Sequence, residues 1–198
     1  MTIVLNLEKT PSQLFSKNLV RIKYIQHIQL DLTKSKVAKL ETKNIFLNQS
    51  YILQLVAYWQ VFIEELAVFG FRKVEQSEHL GLFHDMAKIK LDESIKKFNT
   101  PNRANIDRLF KEALGIVNIS KYWFSETLSL DFATATLDEL LTSRHQIAHK
   151  GCTSIKLSCE SNFQKMEILM QIADLTERAL MEQLVLPLKS RHSVDVAK

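Results

Sequence analysis

Apolar residues recur along this chain at three- and four-residue intervals, the period of a helix with one buried face. Thr10-Pro11-Ser12-Gln13 offers an N-cap, a first-turn proline and a capping-box partner, and Phe15, Leu19, Ile22 and Ile25 follow on one stripe. A second helix is predicted from Ser50 to Val68, apolar on most of its circumference and therefore central. Its aromatics Tyr51, Tyr58, Trp59 and Phe62 are expected in the core. A third helix should begin near Ser77, with Leu80, Phe83, Ala87, Leu91, Ile95 and Phe98 on one stripe. Thr100-Pro101 restarts the chain with a cap and a first-turn proline; Ile106, Leu109, Phe110 and Ala113 face inward until Gly115. Val117 to Thr134 is irregular and reads as loop with short turns. A capping box at Thr136-Leu137-Asp138-Glu139 opens a helix that Gly151 closes, and another at Ser161-Asn162-Phe163-Gln164 opens the last helix, ending at Pro187. Thr2 to Leu7 and Thr153 to Ser158 alternate weakly and could be extended.

No repeat, low-complexity tract or Gly/Ser linker divides this pattern. It predicts one all-α domain, a single-domain bundle of about five to six helices over residues 1–189, with residues 190–198 as a frayed polar tail. Composition agrees: of 198 residues, 46% are hydrophobic and 24% charged, which excludes wholesale disorder. Only 4 Gly and 3 Pro disfavour a turn-rich β fold.

A net charge of +4 suits an anionic partner without coating the surface in positive charge. Cys152 and Cys159 are too few for a disulfide framework or a four-sulfur zinc site, and Met1 to Leu7 lacks the pattern of a signal peptide. A reduced, cytoplasmic protein is expected. Asn44 to Ile63 carries no charge over about the length that spans a bilayer. Asn44, Asn48, Gln49, Ser50, Gln54 and Gln60 interrupt it, so a buried core helix and no membrane contact are expected.

Candidate chemistry concentrates in the helix ending at Lys150. At 100° per residue, Leu137, Leu140, Leu141, Ile147 and Ala148 form an apolar stripe with Arg144 in its middle. A guanidinium there needs a long reach past apolar surface to solvent, an ion pair, or a polar cleft where it meets an anion. Asp138, Thr142, His145 and His149 share the flank, with His145 and His149 neighbours at i, i+4. Histidine exchanges protons near neutrality, and a helix C-terminus favours its cation. One arginine, two histidines and Lys150 within seven residues could hold a phosphate and move protons around it. A zinc reading is weaker. The spacing His145-Gln146-Ile147-Ala148-His149 matches H-E-x-x-H except that Gln146 replaces the glutamate base.

The stretch Arg144-His145-Gln146-Ile147-Ala148-His149 resembles the R-x4-H signature of the HEPN superfamily of helical ribonucleases, with His145 where asparagine is usual. The layout is similar to the RiboL-PSP-like branch. An aromatic-rich helix like Tyr51 to Leu66 precedes a Pro-Asn helix like Pro101 to Gly115, with the motif helix later. The resemblance implies a homodimer whose motif helices face each other across a cleft. It also implies a metal-independent endoribonuclease without cofactor, a toxin or phage-defence effector held down by an antitoxin or regulatory protein. On a straight helix Arg144 and His149 point about 140° apart, which suits a composite site from two copies better than one. In that scheme Arg144 and His149 are catalytic, His145 and Lys150 support them or contact phosphate, RNA is the substrate, and the product carries a 2′,3′-cyclic phosphate. The alternative is a catalytically silent HEPN-like module that binds RNA, nucleotide or a protein partner.

Other polar residues take plainer readings. His79 and His84 suit surface or packing roles, His27 and His192 have no partner in sequence, and the cysteines are reduced and incidental. Lys34, Lys36, Lys39 and Lys43 form a solvated basic run that could guide RNA, as could Arg103 and Arg108.

Overall fold

The computed structural model describes residues 9–76 and 83–192, with residues 185–192 described for their backbone alone. It is an all-α, single-domain fold of six helices, without strand among the described residues. These are α1 (Pro11–Lys34), α2 (Leu40–Gln76), α3 (His84–Lys97), α4 (Arg103–Leu114), α5 (Leu130–Lys150) and α6 (Cys159–His192); a 3-10 turn at Ile119–Tyr122 lies between α4 and α5. The possible extended segment at Thr153 to Ser158 is irregular, while Thr2 to Leu7, Ser77 to Leu82 and the last six tail residues lie outside the described residues.

Helix α2 is the axis of the bundle. It touches α1, α3, α4, α5 and α6, and its residues Tyr51, Ile52, Leu55, Trp59, Phe62, Ile63 and Leu66 are buried. By length and composition α2 could span a membrane, and 44% of its apolar window is buried inside this fold. It outruns the expected Ser50–Val68 at both ends, because polar first and last turns carry no stripe yet continue the helix. Gly70 leaves room for its neighbours: a Cβ there would stand 2.7 Å from Leu114 Cδ1 and 3.2 Å from Leu180 Cδ1.

Several local signals hold. The Thr10 hydroxyl accepts from the Gln13 amide at 3.5 Å, and the Gln13 carboxamide accepts from the Thr10 amide at 3.1 Å, closing the capping box. Phe15, Leu19, Ile22 and Ile25 are buried against α2. Gly115 and Gly151 end α4 and α5 at φ of 73° and 72°, the left-handed conformation that costs glycine least.

Other ends shift. Asn102, not Thr100, caps α4, its Oδ1 accepting from the Asn105 amide at 2.8 Å. Pro101 precedes the cap, and its carbonyl accepts from Trp59 Nε1 at 3.1 Å. Helix α5 starts at Leu130 under a Ser129 cap, so Thr136 is an interior, buried residue rather than a cap. Helix α6 starts at Cys159, two residues before Ser161. The Ser161 amide donates to the Ser158 hydroxyl at 3.0 Å and the Ser158 amide to the Ser161 hydroxyl at 3.1 Å, while Asn162 is buried. Its backbone remains helical through Pro187 to His192. Phe83, expected on the inward stripe of α3, is 69% exposed.

His84 tethers the start of α3 to the end of α2. Its Nε2 lies 2.6 Å from Glu75 Oε1 and its Nδ1 lies 3.0 Å from Asp85 Oδ1. The hydrogen bond to Glu75, then that to Asp85, raises the imidazole pKa above its ordinary value. A raised folded-state pKa gives stability that is complete below the unfolded value of about 6.5 and lost as pH climbs through the folded one. His84→Asn should therefore melt below the wild type near about pH 5.5 and coincide with it near about pH 9. Melting curves at the two pH values check this, and a gap that widens with pH would contradict it.

Candidate active site

Helix α5 is amphipathic along its whole length. Ala133, Thr136, Leu137, Leu140, Ser143 and Ile147 are buried, and the Leu137 to Ile147 face meets α2 and α6. The Lys165 ammonium of α6 lies 2.7 Å from Glu139 Oε1, fixing the middle of the helix against its neighbour.

The motif occupies the last two turns. Arg144, His145, Ala148, His149 and Lys150 are all exposed. The expected placement of Arg144 in the apolar stripe is therefore corrected. Leu137, seven residues earlier on nearly the same side, is fully buried, but cover on that flank ends before Arg144. Ser143 takes the core-facing position instead. The Arg144 guanidinium has no carboxylate or other hydrogen-bond partner among the described residues, and Glu139 is committed to Lys165. Of the readings open in the sequence, the side chain reaches solvent and forms no ion pair with a carboxylate among the described residues. Exposure spares it the desolvation cost of a buried cation and leaves its fork open to an anion.

The rings of His145 and His149 lie 4.5 Å apart between centroids, inclined at 49°. Neither is hydrogen-bonded to another described residue. Both lie near the C-terminal end of α5, where unpaired carbonyls favour positive charge. Asp138 and Thr142 are exposed on the same flank.

Gln146 has a separate task. Its Oε1 accepts from the Thr153 hydroxyl at 2.8 Å, the Ser154 amide at 2.9 Å and the Ser154 hydroxyl at 3.2 Å. It folds the chain after Gly151 back onto α5. An amide so employed, and without basicity, does not supply the base that the zinc-protease pattern requires.

Two other candidates make hydrogen bonds within the fold. Arg103 Nε donates to Ser120 Oγ at 2.9 Å, and Ser120 donates its amide and hydroxyl to Asp107 at 2.9 and 2.7 Å, which pins the 3-10 turn to α4. Arg108 donates to Asn105 Oδ1 at 2.9 Å. Lys34, Lys36 and Lys39 are exposed around the α1–α2 connection, and Lys43 is exposed on the first turn of α2. His27 makes an edge contact with Tyr24, and both cysteines are free thiols.

Beyond the motif lies a groove that sequence reasoning missed. It encloses about 610 Å³ between the first turns of α2 and the 152–157 segment. Its polar lining includes Asn44, Asn48 and Gln49, residues that in the sequence counted only as interruptions of an apolar run. Their i, i+4, i+5 spacing was the available signal.

An HEPN-type helical domain is the class this fold and motif define. The family model for RiboL-PSP-HEPN matches residues 16–181, most of the chain, and the protein belongs to that family. Membership points to a ribonuclease-like or nucleotide-related function. No curated protein and no solved structure matches the chain.

Proposed function

We propose that this protein is a metal-independent endoribonuclease whose site combines Arg144 and His149 from two copies of the chain. The observation that carries the reading is the exposure of Arg144, His145, His149 and Lys150 together on the last turns of α5, with none of their side chains hydrogen-bonded or ion-paired to another described residue.

The chemistry follows from the groups. An imidazole of His149 takes the proton of an RNA 2′-hydroxyl as its oxygen attacks the adjacent phosphorus. The bond to the 5′-oxygen breaks, that oxygen receives a proton from the complementary group that the second copy supplies, and a 2′,3′-cyclic phosphate remains. Arg144 holds the phosphate and offsets charge growing on its non-bridging oxygens. His145 orients His149 or contacts phosphate, and Lys150 adds positive charge. The cation-friendly end of α5 assists both histidines when protonated. Dimerisation enters because Arg144 and His149 diverge by about 140° around one helix, whereas a twofold axis lets one chain's arginine face the other's histidine. Such an activity, free in a cell, calls for a restraining partner, so a toxin or phage-defence role with an antitoxin or regulator is the setting.

The second reading, a silent module binding RNA, nucleotide or protein, is favoured by His145 standing where asparagine is usual in the motif.

The test is purified protein incubated with total RNA in EDTA, with product ends mapped. Cleavage leaving 2′,3′-cyclic phosphate is expected. Activity restored only by zinc or magnesium would overturn the metal-independent mechanism, and silence with RNA bound would favour the silent module.

A further inference from the structure

The groove beside the motif contains polar groups that the fold leaves unused. Gln49 is 8% exposed, lines the groove, and its carboxamide has no hydrogen-bond partner among the described residues. Asn44 lines the same groove, and its Oδ1 is fully buried without a partner. A buried acceptor such as Asn44 Oδ1 costs about 1–3 kcal/mol when left unmet, and the Gln49 carboxamide beside it stays open to solvent and to a ligand.

The wall behind them is rigid. Asn48 accepts from Gln29 Nε2 at 3.1 Å and from Asn162 Nδ2 at 3.3 Å, and donates to the Leu157 carbonyl at 3.5 Å. These bonds join α1, α2 and α6 to the segment that forms the groove's far side. The Gln146 bonds to Thr153 and Ser154 hold the near end of that segment to the motif helix. The groove is thus shaped before any ligand arrives, and its volume falls in the range of about 300–1,000 Å³ usual for small-molecule sites.

We propose that this groove takes an unstacked nucleobase of the RNA that the motif helix handles, with the Gln49 carboxamide reading its hydrogen-bonding edge. The inference rests on the ribonuclease reading and gives that site a base-recognition element. A carboxamide presents a donor and an acceptor side by side, the pattern with which Asn and Gln pair to base edges. Ile45 and Ile155 supply apolar walls for the flat faces, and Lys156 lies at the lining for the phosphate. Position favours the same ligand. Thr153, on the groove, follows His149 by four residues, at most about 14 Å of chain, so a strand with a phosphate at the motif has its neighbouring nucleotide within reach of the groove.

The experiment is calorimetric titration of the full chain with the four ribonucleoside 5′-monophosphates and with ribose 5-phosphate, which carries the sugar and phosphate without a base. At least one nucleotide should bind tenfold or more tightly than ribose 5-phosphate. Gln49→Leu should erase that difference, and Ile155→Trp, which fills the groove from the loop side, should do the same should the first variant not fold. His149→Ala should keep it. Equal binding of all five compounds, or a base preference that survives both groove variants, would overturn the proposal. Because the readout is binding, the proposal stands or falls separately from cleavage. A protein that never cuts RNA but discriminates bases through Gln49 would retain the groove and lose only the catalytic reading.

Discussion

Trp59→Ala is expected to lower the unfolding free energy by about 3–5 kcal/mol, the cost typical of deleting a buried large aromatic. Trp59 is fully buried at the middle of α2. Its ring stacks on Phe62 at 5.4 Å between centroids, meets Trp123 edge-on at 6.3 Å and lies 6.1 Å from Phe15. One side chain thereby joins α1, α2 and the segment after the 3-10 turn. Truncation opens a cavity where three other rings converge, and it removes the donor held by the Pro101 carbonyl just before α4. Trp59→Phe should cost less, since it keeps an aromatic body and loses chiefly that hydrogen bond. With domains stable by only about 5–15 kcal/mol, the alanine variant should sit close to its unfolding threshold. Urea titration of the three proteins measures the differences. A loss below about 1 kcal/mol for alanine would mean that α2 is not the axis on which the bundle depends.

That dependence was readable in the sequence, because burial around the whole circumference of a helix leaves an all-round apolar pattern. The capping box at Thr10 and the closing glycines 115 and 151 were readable for a similar reason: each is complete within four or five neighbouring residues. The starts of α4, α5 and α6 were not. Thr100, Thr136 and Ser161 each stand where cap-like chemistry is repeated within a few positions, and Asn102, Ser129 and Ser158 prevail. At Thr136 the deciding fact is tertiary: it is 6% exposed in the interior of α5, so a local pattern that matches a cap is occupied with packing.

The candidate site divides along the same line. The composition of Arg144, His145, His149 and Lys150 was legible, and so was their position at a helix end. Their exposure was not, because a helical wheel places Arg144 near Leu137 without showing where the neighbouring helices stop covering that flank. The groove at Asn44 and Gln49 was less legible still. Amides in an apolar helix can as readily bond one another across the bundle, as Asn48, Gln29 and Asn162 do. Only the packed structure separates those that find partners inside the fold from those that do not.

Arg144→Ala and His149→Ala should each reduce RNA cleavage by at least about 10²–10³-fold, the usual loss when a charge-stabilising donor or a proton-transfer group is removed. Both side chains are exposed and contribute to no core contact, so stability should change by no more than about 0.5 kcal/mol. That separation of effects distinguishes a reaction site from a structural one. The divergence of the two side chains makes a stronger demand. If a phosphate is served by Arg144 of one chain and His149 of the other, a mixed dimer of the two variants has one site lacking both groups and one site with both intact. Equal mixing with free subunit exchange gives half the dimers that composition, so about a quarter of wild-type activity should return although neither variant is active alone. A variant pair that exchanges subunits, shown by differently tagged chains, yet recovers nothing would mean that both groups act from the same helix. Full activity in either single variant would remove that residue from the chemistry. Recovery near a quarter would tie the exposed end of α5 to a second copy of itself, since no arrangement within one chain produces it.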